Sequence, residues 1–260
     1  MPKYKAITKQ DHLNSSYTPP ANYNYTKNDT VVPLLAAELS AAVPYYPIGF
    51  IKQNERYQLI VIQSLTPQLN LFVNEFGQYL VPYIVSYYRS YPFRLLPNEN
   101  AELTLCYDEE ANSISNTKED GEIPLFTEKG DLSEKLNEIL EFLGECDKNK
   151  RETQFIVDQL ASCSLIETWN INVDTVNDST HNSVEGLYTI NEAKLKSLDP
   201  EILSTLAKSG ALGLAYAQLL SQARLTDFAK RYSYYSKQKA AGSESVDLDM
   251  LFGDGDTIKF

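Results

Sequence analysis

The hydrophobic period of this chain lengthens near residue 120 to the helical value and stays there, and that change limits the folds open to it. Before the change, apolar residues come in short runs bounded by polar turns. Tyr46-Pro47-Ile48-Gly49-Phe50-Ile51 and Tyr57-Gln58-Leu59-Ile60-Val61-Ile62 flank the turn Lys52-Gln53-Asn54-Glu55, which reads as a hairpin. Leu71-Phe72-Val73 and Tyr79-Leu80-Val81 flank a turn containing Gly77 and read as a second one. Tyr83 to Tyr91 fits helix or loop, and Pro92 ends it. Leu103 to Tyr107 is a further strand, closed by the acidic turn Asp108-Glu109-Glu110. Residues 46–116 are therefore predicted to form an antiparallel sheet with short connections.

Past Thr117-Lys118-Glu119-Asp120-Gly121 the repeat lengthens to ~3.6 residues, the helical period. Asp131-Leu132-Ser133-Glu134 fits a capping box with Asp131 as the cap, and Leu132, Leu136, Ile139, Leu140 and Leu143 then share one face. A second stripe, Phe155, Ile156, Leu160 and Cys163, predicts another helix before Trp169, a residue expected to pack helices onto the sheet. Asp174 to Ser183 reads as a polar loop. Asn191 is a fair cap for a short helix, and Asp199-Pro200-Glu201 a stronger start, because proline at the first helical position loses no hydrogen bond. That helix should stop at Gly210, and a last one should run from Ala211 to Tyr234.

The fold class is thus α+β: an antiparallel sheet in the N-terminal half, covered by helices from the C-terminal half. One domain over residues 1–235 is expected, with a two-lobed split near 120 as the alternative. Residues 1–30 are polar and should lie extended over the surface, and Val31 to Val43 suits a short helix ending before Pro44. Residues 236–246 read as a flexible linker, and the end of the chain as an acidic and apolar tail carrying Leu251, Phe252 and Phe260. Such a tail suits docking, on this chain or on a partner.

Charge narrows the function. With 23 Lys and Arg against 35 Asp and Glu, the formal net charge is −12, the wrong sign for gripping phosphates, so no nucleic-acid partner is expected. No apolar run approaches the ~20 residues that span a bilayer, so no membrane insertion is expected, and the N-terminus lacks a secretory apolar stretch. Three scattered cysteines, Cys106, Cys146 and Cys163, fit reduced thiols rather than a disulfide framework, and cytoplasmic localisation is the expectation.

Catalytic templates fit poorly. With two histidines, His12 and His181, a histidine-rich metal site is out of reach, and neither a phosphate loop nor a nucleophile elbow occurs. No metal and no cofactor is therefore expected. Two constellations remain. In Tyr87-Tyr88-Arg89-Ser90-Tyr91-Pro92-Phe93-Arg94, two cations among aromatic faces could stack or hold a carboxylate; the plainer reading closes the sheet with the cations in solvent. In Cys106-Tyr107-Asp108-Glu109-Glu110, clustered carboxylates could bind a hard cation or raise one another's pKa; the plainer reading is a solvated turn. The 18 tyrosines also admit a tyrosine-lined recognition surface.

A set of segments in order resembles the SapC family of bacterial proteins: Val32-Pro33-Leu34 with Glu38, Pro47-Ile48-Gly49-Phe50, Asn70-Leu71-Phe72-Val73, Gly77 with Tyr83, and Arg89-Ser90-Tyr91-Pro92-Phe93. Pro124-Leu125-Phe126, Glu185-Gly186-Leu187-Tyr188-Thr189-Ile190, Ser209-Gly210-Ala211-Leu212, Tyr216-Ala217-Gln218-Leu219 and the ending Asp247-Leu248-Asp249 to Phe260 continue it. The sequence departs from that pattern at Tyr79, where the family often has Trp, and at Gln218, where it often has His. The resemblance implies association with a bacterial surface-layer locus, and relatives look like companions of outer-membrane receptor, flavin-dependent halogenase or cupin-type oxygenase genes. It carries over no catalytic residue.

The expectation is a non-catalytic binding or accessory protein that works with a surface-layer, export or envelope-uptake system and contacts another protein, through its tail or otherwise. Its binding residues are expected among Arg89, Tyr91, Arg94, Tyr188, Tyr216, Gln218, Leu251, Phe252 and Phe260. The alternative is an enzyme, or an oxygenase-associated subunit, that acts on an acidic small molecule or peptide.

Overall fold

The turn Asn54-Glu55 adopts positive φ at both residues, 49° and 63°. That geometry matches the twist of a two-residue hairpin, and it joins the strand Ile48–Gln53 to Arg56–Ile62 as the alternating pattern requires. The computed structural model describes residues 3–116, 122–175 and 178–241. They form antiparallel sheets with several helices, an α+β fold. The residues group into two compact units, neither continuous in sequence.

Unit 1 draws on Met1–Asn22, Leu35–Ala37 and Ile84–Thr153. Its larger sheet has Leu103–Asp108 at the centre, paired with Tyr4–Ala6 on one side and Phe93–Pro97 on the other. A smaller sheet places Ser16–Tyr17 between Ile114–Ser115 and Ile123–Pro124. The N-terminal arm therefore contributes structure rather than merely covering it. Tyr17 joins Phe93, Leu105, Leu125, Phe126, Leu136 and Leu143 in the core, and His12 is buried edge-on to Tyr107. The arm's polar sequence hides this because its strands are short and its few apolar side chains alternate with exposed polar ones.

Leu136 and Leu143 reach that core from the helix Glu134–Ser162. Its cap is Ser133, whose Oγ accepts the Leu136 N–H at 3.3 Å, and not Asp131, which faces the preceding turn through Thr127. The two predicted helices are this one. The apolar stripe lapses over Glu145 to Glu152, but no proline interrupts it, and the Asp147–Arg151 ion pair at 2.9 Å bridges one turn there. Near its end, Val157 and Leu160 are buried while Phe155 is exposed, so the buried stripe is offset from the one read in sequence.

Unit 2 draws on Tyr23–Leu34, Glu38–Tyr83 and Gln154–Phe260. Its five-stranded antiparallel sheet runs Ile166–Thr168, Leu187–Ile190, Ile48–Gln53, Arg56–Ile62, Val31–Pro33. The sheet predicted over 46–116 is thus divided: the Ile48–Ile62 hairpin lies in this sheet, the Phe93–Asp108 pair in unit 1. Val31–Pro33 is strand where helix was predicted, and the helical part comes later, as a 3-10 turn over Ala36–Glu38 and an α-helix over Leu39–Ala42. The second predicted hairpin shrinks to a single bridge, Val73 to Tyr79. The polar stretch read as a loop pairs instead as a ribbon, Ile171–Thr175 with Asp178–Val184.

Asn191 and Asp199-Pro200 start helices Glu192–Lys196 and Pro200–Lys208 as their chemistry suggests, and Gly210 at φ 83° ends the second. The last predicted helix is broken: Ala211–Ser221, a 3-10 turn over Gln222–Thr226, then Asp227–Ala241. Ala211, Leu214, Ala215, Gln218 and Ser221 form the buried stripe of the first, spaced to face the strand Ile48–Gln53. Trp169 lies on the same sheet, where a side chain on Gly49 would meet its ring at 3.2 Å.

Candidate functional site

The short helix Ser86–Arg89 and the strand Phe93–Pro97 carry the aromatic and cationic cluster of unit 1. Tyr87 is 41% exposed, and the Arg94 guanidinium lies 4.1 Å from its ring centroid. Arg94 is held in that pose, since Nη1 donates to Ser90 Oγ at 2.6 Å and to the Phe93 carbonyl at 2.8 Å. Its Nε is buried without a protein partner. Arg89 lies over the Phe142 ring at 5.1 Å. Both cations are thus fixed on aromatic faces, where the ring quadrupole attracts them and their rotamer freedom is already reduced.

Beside them is a recess of about 250 Å³, lined in part by Tyr17, Arg89, Tyr91, Lys135, Glu138 and Phe142. Arg89 and Tyr91 of the sequence-derived set line it, and Arg94 lies outside its lining, on Tyr87. Burial first, and then the nearby Asp108 carboxylate, push the Tyr91 phenol up to about 12, and its hydroxyl donates to Asp108 Oδ2 at 3.4 Å. Tyr17, buried as part of the core, is raised to about 12 by burial alone. Near neutral pH both hydroxyls are protonated donors, and neither is a base.

The acidic turn has a structural task. Asp108 is buried and accepts from the backbone N–H of Lys3 and of Glu110, each at 3.2 Å, and Glu109 pairs with the Lys3 ammonium at 3.0 Å. These carboxylates hold the N-terminal strand against Leu103–Asp108 rather than facing one another around an ion. Among the described residues no group of His, Cys, Asp and Glu could hold a metal ion. Cys106 is buried, and desolvation raises its thiol, so the thiolate that would be reactive is disfavoured.

The other sequence-derived binding residues fall in unit 2. Tyr188 is half-buried, edge-on to Tyr57 at 5.0 Å. Tyr216 stands exposed on the helix Ala211–Ser221. Gln218, on the same helix, is fully buried. Its amide donates to the Ile48 carbonyl at 3.1 Å and accepts from the Ile190 N–H at 3.1 Å and the Thr189 hydroxyl at 3.2 Å. Leu251, Phe252 and Phe260 lie outside the described residues.

The family model for SapC matches residues 7–228, most of the chain. The chain belongs to the SapC family. Neither the curated proteins nor the solved structures contain a match to it.

Several SapC segments meet within unit 2. Asn70-Leu71-Phe72-Val73 is a buried loop tied by its own first residue, whose Oδ1 accepts the Phe72 N–H at 2.9 Å and whose Nδ2 donates to the Thr26 carbonyl at 3.0 Å. The Tyr235 hydroxyl donates to the Asn70 carbonyl at 2.8 Å and also contacts that of Val73. Glu38, buried, accepts from the Tyr83 hydroxyl at 2.6 Å, and the Tyr46 hydroxyl donates to the Tyr83 carbonyl. In this SapC chain Asn70 thus fixes backbone polar groups in the core, and Glu38 and Tyr83 satisfy one another there. Lys135, Glu138 and Phe142, which complete the unit 1 recess, were not among the residues singled out from sequence, because on a helix they read as an ordinary solvated face.

Proposed function

We propose that this SapC-family chain is a non-catalytic binding or accessory protein of the cytoplasm, working with a bacterial surface-layer, export or envelope-uptake system through protein–protein contacts. The observation that carries the reading is the face of unit 1 on which Tyr87, exposed, holds Arg94 at 4.1 Å, beside Arg89 over Phe142 at 5.1 Å. Tyrosine and arginine dominate binding energy at protein interfaces because they offer large contact area together with directional hydrogen bonds. Stacking here fixes both cations in advance, which lowers the entropy a partner must overcome. The recess beside them, with Arg89 in its wall and Lys135 paired to Glu138 at 2.7 Å, suits an acidic side chain from that partner.

The family resemblance supplies the surface-layer and envelope setting. The enzyme alternative uses Arg89 and Arg94 together on an acidic substrate, and the geometry turns Arg94 toward Tyr87 instead of into the recess.

Native mass spectrometry of the full chain, isolated gently from its own cells, tests the reading. A co-purifying protein is expected, retained by wild type and lost from the double variant Tyr87→Ala with Arg89→Glu, whose melting temperature should be unchanged. Loss in Leu251→Ser with Phe260→Ser but not in the first variant would move the contact to the tail. Retention by both variants, or a bound small molecule with no protein partner, would overturn it.

A further inference from the structure

Arg231, on the helix Asp227–Ala241, is 8% exposed and has no carboxylate within ion-pair distance among the described residues. One guanidinium face lies 4.2 Å from the Phe72 ring centroid. Of its five N–H groups, Nη1 makes a long hydrogen bond, 3.5 Å to the Leu71 carbonyl. Asp227, one turn earlier, acts on it through space but pairs with Arg224 at 3.4 Å. A buried cation left like this is costly, and burial accordingly depresses its pKa, though a guanidinium stays charged near neutral pH.

The same side chain lines a recess of about 270 Å³ within unit 2. Arg224 and Lys230 line it too, with Asp227 as the carboxylate and Tyr45 and Val81 as apolar wall. Three cations against one acid is the reverse of the chain's balance of 23 basic to 35 acidic residues.

We propose that this recess is a binding site for a small organic carboxylate, its oxygens held by Arg231 with Arg224 and Lys230 and its apolar body resting on Tyr45 and Val81. Anchoring the 70–73 loop does not rest on the arginine alone, because the Tyr235 hydroxyl donates to the Asn70 carbonyl at its start and contacts the Val73 carbonyl at its end, while Arg231 reaches only the Leu71 carbonyl, at 3.5 Å. A planar fork over an aromatic face is instead the donor geometry that matches a carboxylate in two-point contact. Asp227 in the wall disfavours phosphate, whose second charge would oppose it. The volume sits just below the ~300 Å³ at which ordinary ligand sites begin, which limits the ligand to a small one.

Isothermal titration of the full chain with 3-phenylpropanoate, butanoate, inorganic phosphate and the uncharged 3-phenylpropanol tests it. One of the two carboxylates should bind saturably, with a dissociation constant below ~1 mM. Lys230→Gln and Arg224→Gln, both away from the core, should each weaken it about tenfold at unchanged melting temperature. Arg231→Met should abolish it if that variant folds, and the other two keep the test decisive if it does not. The proposal is overturned if neither carboxylate gives saturable heat, if the alcohol binds as well as the acid, if phosphate binds more tightly than both, or if the two glutamine variants keep wild-type affinity.

Discussion

Gln218 performs, from a helix, a task that belongs to a strand. The ladder between Leu187–Ile190 and Ile48–Gln53 pairs Leu187 with Ile51 and Tyr188 with Phe50 and then stops. The next groups in line, the Ile48 carbonyl and the Ile190 N–H, are bridged instead by the two ends of the Gln218 amide, each at 3.1 Å. Tyr188 O lies 3.2 Å from where a Gly49 side chain would begin, so the strands meet closely just before they part. Gln218→Leu keeps the volume and strands both backbone groups where no water reaches. Each lost partner costs about 1–3 kcal/mol, so a loss of about 2–6 kcal/mol is expected from urea midpoints at unchanged slope. Gln218→His can donate from one ring nitrogen and accept with the other, and should retain most of the stability. Equal losses in both variants would show that the bridge contributes little.

The elements show where sequence patterning reports structure and where it reports only burial. Turn and cap chemistry was legible within Lys52–Glu55 and at Asn191, Asp199-Pro200 and Gly210, because each acts locally whatever packs on it: Asn191 accepts a first-turn N–H, Pro200 needs none at its position, and Asn54, Glu55 and Gly210 take positive φ. The helix Glu134–Ser162 was read as two because its apolar stripe lapses, yet a lapse marks exposure and not a helix end. Phe155 misled for the same reason: an apolar side chain at helical spacing can face solvent. Dividing one run of strands between two sheets depends on partners distant in sequence, Tyr4–Ala6 for one and Leu187–Ile190 for the other, which no local pattern carries. The candidate site divides likewise. Arg89 and Tyr91 stood out as a motif, whereas Lys135 and Phe142 join them only once the helix packs. Gly144 sits at the start of the lapse, and a methyl group added there meets nothing within 4 Å. Gly144→Ala should therefore raise stability by about 0.5–1 kcal/mol, through helix propensity and a less disordered unfolded chain. Calorimetry would read this as a higher melting temperature, and a decrease would mean that the glycine accommodates a contact or bend there.

At the scale of the molecule, the charge of −12 sets the field through which any anion approaches. A basic protein draws anions in at low salt and loses them as salt rises. Here the distant carboxylates repel, and only groups in contact, Arg224, Lys230 and Arg231 at one recess or Arg89 and Lys135 at the other, attract. Raising ionic strength from ~10 mM to ~150 mM shortens the screening length from about 30 Å to about 8 Å. Repulsion from charges tens of ångströms away is then largely removed, while attraction across a hydrogen bond inside a recess is screened far less. The affinity of the unit 2 recess for a carboxylate should therefore hold or rise over that range, and the association rate should not fall. Titrations at several potassium chloride concentrations would measure both. A dissociation constant that climbs steeply with salt would place the anion on exposed surface cations, where counterions compete freely, and not against the buried guanidinium of Arg231.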